Sequence, residues 1–258
     1  MRSIFEGIEQ TEVAIRGTPV RSPLFYRDLG MMSALFTASA RAARALLPTP
    51  EHRLLSPAPG LALLAVHCFE YRDTGIGPYN EVSLSVAVTC GRSGGAFRAC
   101  LDAASRRRYA AYVLALPVNT EIALHGGLDF FGFPKYLADI RFSESGDTRT
   151  CSVEDPATGK PIYSFAGKKI PTRPRARDVA VFHTFPILAG KTVRTTMVVR
   201  SFERGTRVLG GGFRITPGED PRARLLADLA PGRLLEYVHV PRAEAILFEP
   251  EPAPGAGP

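Results

Sequence analysis

Few residues in this chain are suited to covalent chemistry, and the sharpest candidate is a lysine. Of the 32 basic residues 27 are arginine, and the five lysines are Lys135, Lys160, Lys168, Lys169 and Lys191. Lys135 lies in GLDFFGFPKYLADI, residues 127–140, among Phe130, Phe131, Phe133, Tyr136 and Leu137. An amine attacks a carbonyl only when neutral, and an ordinary lysine, with a pKa of about 10.4, is neutral in roughly 0.04% of molecules at pH 7. Apolar surroundings disfavour the ammonium form and raise that fraction, which is the environment a nucleophilic lysine needs. Guanidinium cannot deprotonate to do the same work. The competing reading is a lysine whose stem packs on aromatic rings while its head reaches water.

The other candidates are weaker. Glu81 follows Gly75, Gly77, Pro78 and Tyr79, and by itself reads as a solvated glutamate at the start of a strand. His67, His125 and His183 each stand in an apolar context, as core or pocket-edge histidines do. No HxH or HxxxH spacing brings two of them to one face, so no metal is expected. GGGF at 210–213 lacks the lysine of a phosphate loop and reads as a tight turn.

Three segments in order, DTGIGPYNE at 73–81, GFPKYL at 132–137 and PRAEAIL at 241–247, resemble the acetoacetate decarboxylase superfamily. The resemblance spans roughly residues 17–248. It implies that Lys135, in the Phe-Pro-Lys turn, is a Schiff-base nucleophile, and that Glu81, closing the Gly-x-Gly-x-Tyr-x-Glu segment, is the acid/base or proton-positioning carboxylate. It also implies a homo-oligomer that needs no metal or organic cofactor. An arginine of the family's later strand falls on Arg194, which reads equally well as a solvated strand residue.

The departures bear on the reaction. Where the family pattern has a second lysine directly after the nucleophile, this chain has Tyr136. An ungapped register between Pro23 and Pro48 puts Leu29 where an arginine is expected, and Arg27 is two residues earlier, on the same side of a regular strand. Arg27 and Tyr136 are therefore the candidate substrate-binding residues, Arg27 as a carboxylate anchor. The second pocket acid of the pattern falls on Val66, with Glu70 the nearest acid. A rebuilt carboxylate contact favours aldol condensation and dehydration of a pyruvate-type substrate with an aldehyde. The alternatives are decarboxylation of a 3-oxo acid through the same Lys135 iminium, and a barrel that binds a small acid without turning it over.

The elements that must hold these residues are mostly strands. Residues 61–71 and Glu81–Thr89 read as an antiparallel pair, the second alternating Val82, Leu84, Val86 and Val88 with Ser83, Ser85 and Ala87. Further β-type runs follow at Tyr109–Leu116, Tyr136–Ser143, Thr150–Val153, Pro161–Phe165, Val179–Phe185, Thr192–Phe202, Arg207–Ile215 and Leu235–Phe248. Helices are expected over 32–46, Thr120–Phe131 and Pro221–Leu229, the last capped by Asp220. The fold class is α+β, mainly antiparallel β, as a curved barrel- or cone-like sheet with a few peripheral helices. Residues 1–248 read as one domain, and 249–258, EPEPAPGAGP, as a disordered tail.

Composition closes off other classes. A chain of 258 residues, 45% hydrophobic and 22% charged, can bury a real core. The net charge of +7 is dispersed, its only basic run being Arg106, Arg107 and Arg108, and no nucleic-acid recognition motif accompanies it. Cys68, Cys90, Cys100 and Cys151 form no CxxC pair and read as reduced thiols of a cytoplasmic protein. The N-terminal residues lack the apolar core of a signal peptide, and no apolar run approaches membrane-spanning length.

Overall fold

A computed structural model describes residues 3–90 and 107–254; Cys100 and Arg106 lie outside them. Thr11–Ile15 (β1) and Thr18–Ser22 (β2) form a hairpin, and Leu24–Ser39 (β3) runs into a helix at Ala40–Ala45 (α1). Next come His52–Leu54 (β4), Leu61–Thr74 (β5), Tyr79–Cys90 (β6) and Arg108–Val118 (β7). Helix Glu121–His125 (α2) widens into a π-helical turn at Gly126–Phe131 and delivers the chain to Lys135–Leu137 (β8). Asp139–Ser145 (β9), Thr148–Glu154 (β10) and Pro161–Lys168 (β11) form a meander. Arg173–Thr184 (β12), Ile187–Leu188 (β13), Lys191–Val208 (β14) and Phe213–Pro217 (β15) follow. Arg224–Leu229 (α3) precedes Leu234–Leu247 (β16) and Glu251–Pro252 (β17).

Seven of these strands close on themselves in the order β6, β5, β3, β16, β14, β12, β7 and back to β6. All the pairings in the ring are antiparallel except β7 with β12. A second sheet, β15-β11-β10-β9, packs against one flank. The expected mainly antiparallel, barrel-like architecture is the one observed, with three short α-helices among the described residues.

The main core lies between the two sheets, not along the barrel axis. Val82, Leu84, Val86 and Val88 of β6 are fully buried there, with Val153, Ile162 and Phe165 of the second sheet facing them. The alternate residues of β6, Ser83 and Ser85, are 7% and 3% exposed because they face the barrel interior. The alternation in this strand therefore separates two buried faces, not a buried face from solvent.

Two expectations fail. The helix expected over 32–46 is strand to Ser39 and helix only at Ala40–Ala45, where Ser39 Oγ caps the Ala42 amide at 3.3 Å. Met32, Ala34, Phe36 and Ala38 all bury on one face with the period of two that a strand requires, and β3 pairs on both edges, with β5 and β16. That pairing outweighs the helix propensity of the alanines. The tail is ordered at its start: Pro252 and Glu251 pair with Val193 and Arg194, and Ala253 is 4% exposed. The expected tight turn at GGGF joins β14 to β15, with Gly211 and Gly212 at positive φ.

Candidate active site

Lys135 enters the barrel because the segment before it is bent there. α2 opens into the π-helical turn, Gly132 ends it in the left-handed region at φ +71°, and β8 then lies parallel to β7 with Lys135 beside Leu116. The lysine stem crosses the π-turn at Gly127: a Cβ there would lie 2.5 Å from Lys135 Cε and closer still to Cδ. Only glycine leaves that passage open.

Glu81 arrives from the neighbouring strand. It is paired with Phe69 on β5 and Val118 on β7, on the same face of β6 as Ser83 and Ser85. Lys135 Nζ donates to Glu81 Oε2 at 2.7 Å, and the two side chains are 8% and 9% exposed. Tyr71 donates its hydroxyl to Glu81 Oε1 at 3.3 Å. The rings of Tyr26 and Tyr79 each lie against Tyr71, tilted at 42°, with centroids 4.5 and 4.6 Å apart, and the Tyr26 and Tyr79 hydroxyls are 3.1 Å apart. Burial, reinforced by the Glu81 charge, pushes all three phenols up, so they remain neutral.

Lys135 and Glu81 line a cavity of ≈ 100 Å³ inside the barrel, walled by Tyr26, Phe69, Phe133 and Phe182. His67 and His183 share that wall. Burial pushes His67 down to about 4 and lowers His183, so both are neutral at pH 7. No arginine lines this cavity among the described residues, which leaves Lys135 as its one cationic side chain. The arrangement places an amine, a carboxylate that can take its proton, and an apolar enclosure at one point.

The other site candidates are elsewhere. Arg27 is half exposed and 3.8 Å from Asp73 on the barrel's outside. Bulges in β3 between Tyr26 and Asp28 and between Asp28 and Leu29 shift the alternation, so Tyr26 and Leu29 share the inner side and Arg27 does not. Position 29 is thus an inward position, occupied by a fully buried leucine. Tyr136, next along β8 from the lysine, turns to the other face, where it packs on the core between the sheets beneath the Arg222 guanidinium. Val66 belongs to that same outer core, and Glu70 points outward to Arg72 and Arg149 at 2.9 and 2.6 Å. His125 is 3.3 Å from Arg16, and Arg194 pairs with Glu251 at 2.7 Å.

Sequence reasoning missed Tyr26 and Tyr71 as parts of the site. The available signal was parity: Phe69 and Tyr71 are in phase with each other on β5, as Tyr79 and Glu81 are on β6. Cys68, Cys90 and Cys151 are buried free thiols away from the cavity. No helix among the described residues is long and apolar enough to cross a membrane.

Several solved structures share this fold. An acetoacetate decarboxylase from Legionella pneumophila aligns with a TM-score of 0.65 at 15% identity, over 89% of this chain and 86% of that one. The enduracididine biosynthesis enzyme MppR, complexed with the condensation product of pyruvate and imidazole 4-carboxaldehyde, aligns with a TM-score of 0.60 at 14% identity, over 88% and 87%. An acetoacetate decarboxylase-like enzyme from Sphingomonas wittichii RW1 aligns with a TM-score of 0.52 at 16% identity, over 89% and 94%. No curated protein matches the sequence. The sequence model of the acetoacetate decarboxylase family matches residues 13–246, nearly the whole described barrel, and the chain belongs to that family.

Proposed function

We propose that this protein is a Schiff-base lyase in which Lys135 attacks the carbonyl of an oxo acid and Glu81 moves the protons. The observation that carries this reading is the Lys135–Glu81 contact of 2.7 Å, nine-tenths buried in an aromatic cavity. Glu81 Oε2 takes a proton from Nζ, leaving a neutral amine and a neutral acid. The amine adds to the ketone, the resulting hydroxyl takes that proton and leaves as water, and an iminium remains opposite the regenerated Glu81 carboxylate.

Of the two branches open to the iminium, the cavity favours decarboxylation. With a 3-oxo acid the bond to the carboxylate breaks, carbon dioxide departs, and its electron pair passes to the iminium to give an enamine. Protonation at carbon and addition of water release the ketone and the free lysine. A carboxylate held by arginine would be stabilised in the ground state, whereas the aromatic wall of this cavity carries no arginine; Arg21 lines the space on the other side of Lys135, and Arg107 and Arg204, both paired with Asp178, line the next space along the barrel. The preference for aldol chemistry rested on a rebuilt carboxylate contact, with Leu29 for the expected arginine and Tyr136 for the second lysine, and the candidate substitute anchor Arg27 is outside the barrel. The condensation branch keeps one supporting observation: Glu81, once its proton has gone, is placed to remove a proton from the carbon beside the iminium.

Borohydride reduction with acetoacetate or with pyruvate, followed by mass spectrometry, tests the common step. An adduct on Lys135 is expected, together with carbon dioxide release from acetoacetate. Lys135→Arg should abolish both, and Glu81→Gln should slow turnover by about 10²–10⁴-fold. An adduct elsewhere in the chain, or none with either acid, overturns the reading.

A further inference from the structure

The site does not end at Lys135. Adjoining its cavity is a second chamber of ≈ 270 Å³, also inside the barrel. His67, Ser85, Tyr109, Ala111 and Phe182 line both spaces and form a waist between them. Strand order shows the two stacked along the axis. On β5 the chamber takes Leu63, Ala65 and His67 and the cavity takes His67, Phe69 and Tyr71. On β6 the chamber takes Ala87 and Ser85, and the cavity takes Ser85, Ser83 and Glu81. The lysine's cavity and the chamber thus form a bore, and a smaller space on the other side of Lys135 is lined by Arg21, Tyr26, Phe131 and Phe133.

The space exists because the wall residues are small. Ala65, Ala87, Ala111 and Ala180 stand where larger side chains would fill the barrel. Close packing is the rule in protein interiors, and a cleft of this size lined mainly by apolar groups is the form a ligand site takes; the charged residues of its lining, Glu236 and the Asp178-paired Arg107 and Arg204, stand at the end away from Lys135. At the waist, Tyr109 and Phe182 stack at 5.1 Å between centroids, and His67 meets Phe182 edge-on at 5.7 Å. These rings suit the passage of a narrow apolar group. The chamber is close to twice the ~150 Å³ that accommodates a benzene ring.

We propose that the chamber binds the apolar part of the substrate, an aryl or medium-length alkyl group attached to the carbonyl carbon that reacts with Lys135. The substrate class is then an oxo acid with a tail of ring-plus-linker size, not a four-carbon acid. This inference rests on the Schiff-base reading for its orientation, since the carbonyl is at Lys135 and the tail beyond the waist. Each methylene transferred from water into the chamber strengthens binding by about fourfold.

The test compares acetoacetate with 3-oxo-5-phenylpentanoate in borohydride trapping on the wild-type protein, and titrates 4-phenylbutyrate calorimetrically as an unreactive probe. The phenyl-bearing acid should half-saturate trapping at a concentration at least about tenfold lower than acetoacetate. Ala65→Leu, which fills the chamber, should shrink that ratio at least about tenfold and weaken 4-phenylbutyrate by a similar factor, its folding checked by thermal melting. If acetoacetate traps equally well or better, the chamber assignment falls while the lysine reading stands. Should neither acid form an adduct while 4-phenylbutyrate binds wild type tightly and Ala65→Leu weakly, the lysine reading falls and the chamber assignment stands. No adduct and no binding overturn both. Condensation of pyruvate with a free aromatic aldehyde, without preference for the tailed acid, assigns the chamber to a second reactant and overturns the proposal.

Discussion

At the residue scale, the cavity combines one ion pair with neutral polar groups, and His67 shows how that neutrality is maintained. Its accessible surface is on the cavity wall, and burial lowers it from the ordinary 6.5 to about 4. Folding therefore favours the neutral ring. The stability from this residue is complete above pH 6.5, falls as the unfolded chain takes up its proton, and is gone below about pH 4. At about 1.36 kcal/mol per unit the loss is on the order of 3 kcal/mol. Denaturant titrations from pH 7 to pH 4 should show that decline in the wild type and a shallower one in His67→Gln. Equal slopes would mean that His67 is not held neutral by the fold.

At the scale of the element, α2 and its π-helical turn bring Lys135 through the barrel wall, and two of the turn's glycines, at 127 and 132, serve different ends. Gly127 has no left-handed backbone, so Gly127→Ala should fold, yet the new methyl would displace the lysine stem. Misplacing a reacting atom by an ångström costs about 100-fold, so trapping should slow by that order while the melting temperature changes little. Gly132→Ala should do the reverse in proportion. Its φ of +71° and the Ile187 backbone within 2.9 Å leave no room for a side chain, and a stability loss of about 1–2 kcal/mol or more is expected from strain. Thermal melts and trapping rates on the two variants separate positioning from folding.

For the whole molecule, the division of labour is between a hollow barrel and a solid interface. Phe165, fully buried, joins Tyr163 and Phe213 in the packed layer between the sheets. Phe165→Ala should cost about 3–5 kcal/mol by equilibrium unfolding, because that layer has no space to collapse into. Ala65, facing the hollow side, should lose nothing comparable when enlarged to leucine. A difference of this kind between two β-strand core positions would show that the barrel interior is reserved for a ligand and contributes little to stability.

The strands were largely legible in the sequence, because a period of two is a local property; β6 could be read from the alternation of Val82 to Val88, and its pairing with β5 from the run at 61–71 and the turn formers between them. Lys135 and Glu81 were legible as candidates through residue type and the GIGPYNE and GFPKYL segments, and the fold brings the two into contact. What lay on each side of a strand was not. Serines of β6 that alternate with valines look solvated, but barrel closure by β7 on β12 turns them inward. Arg27 looked inward by simple alternation, and bulges set by long-range pairing of β3 with β5 and β16 sent it out. Residue chemistry and period are written locally and survive in one dimension; phase, enclosure and the emptiness of the bore depend on contacts between strands far apart in the chain, and only the closed barrel decides them.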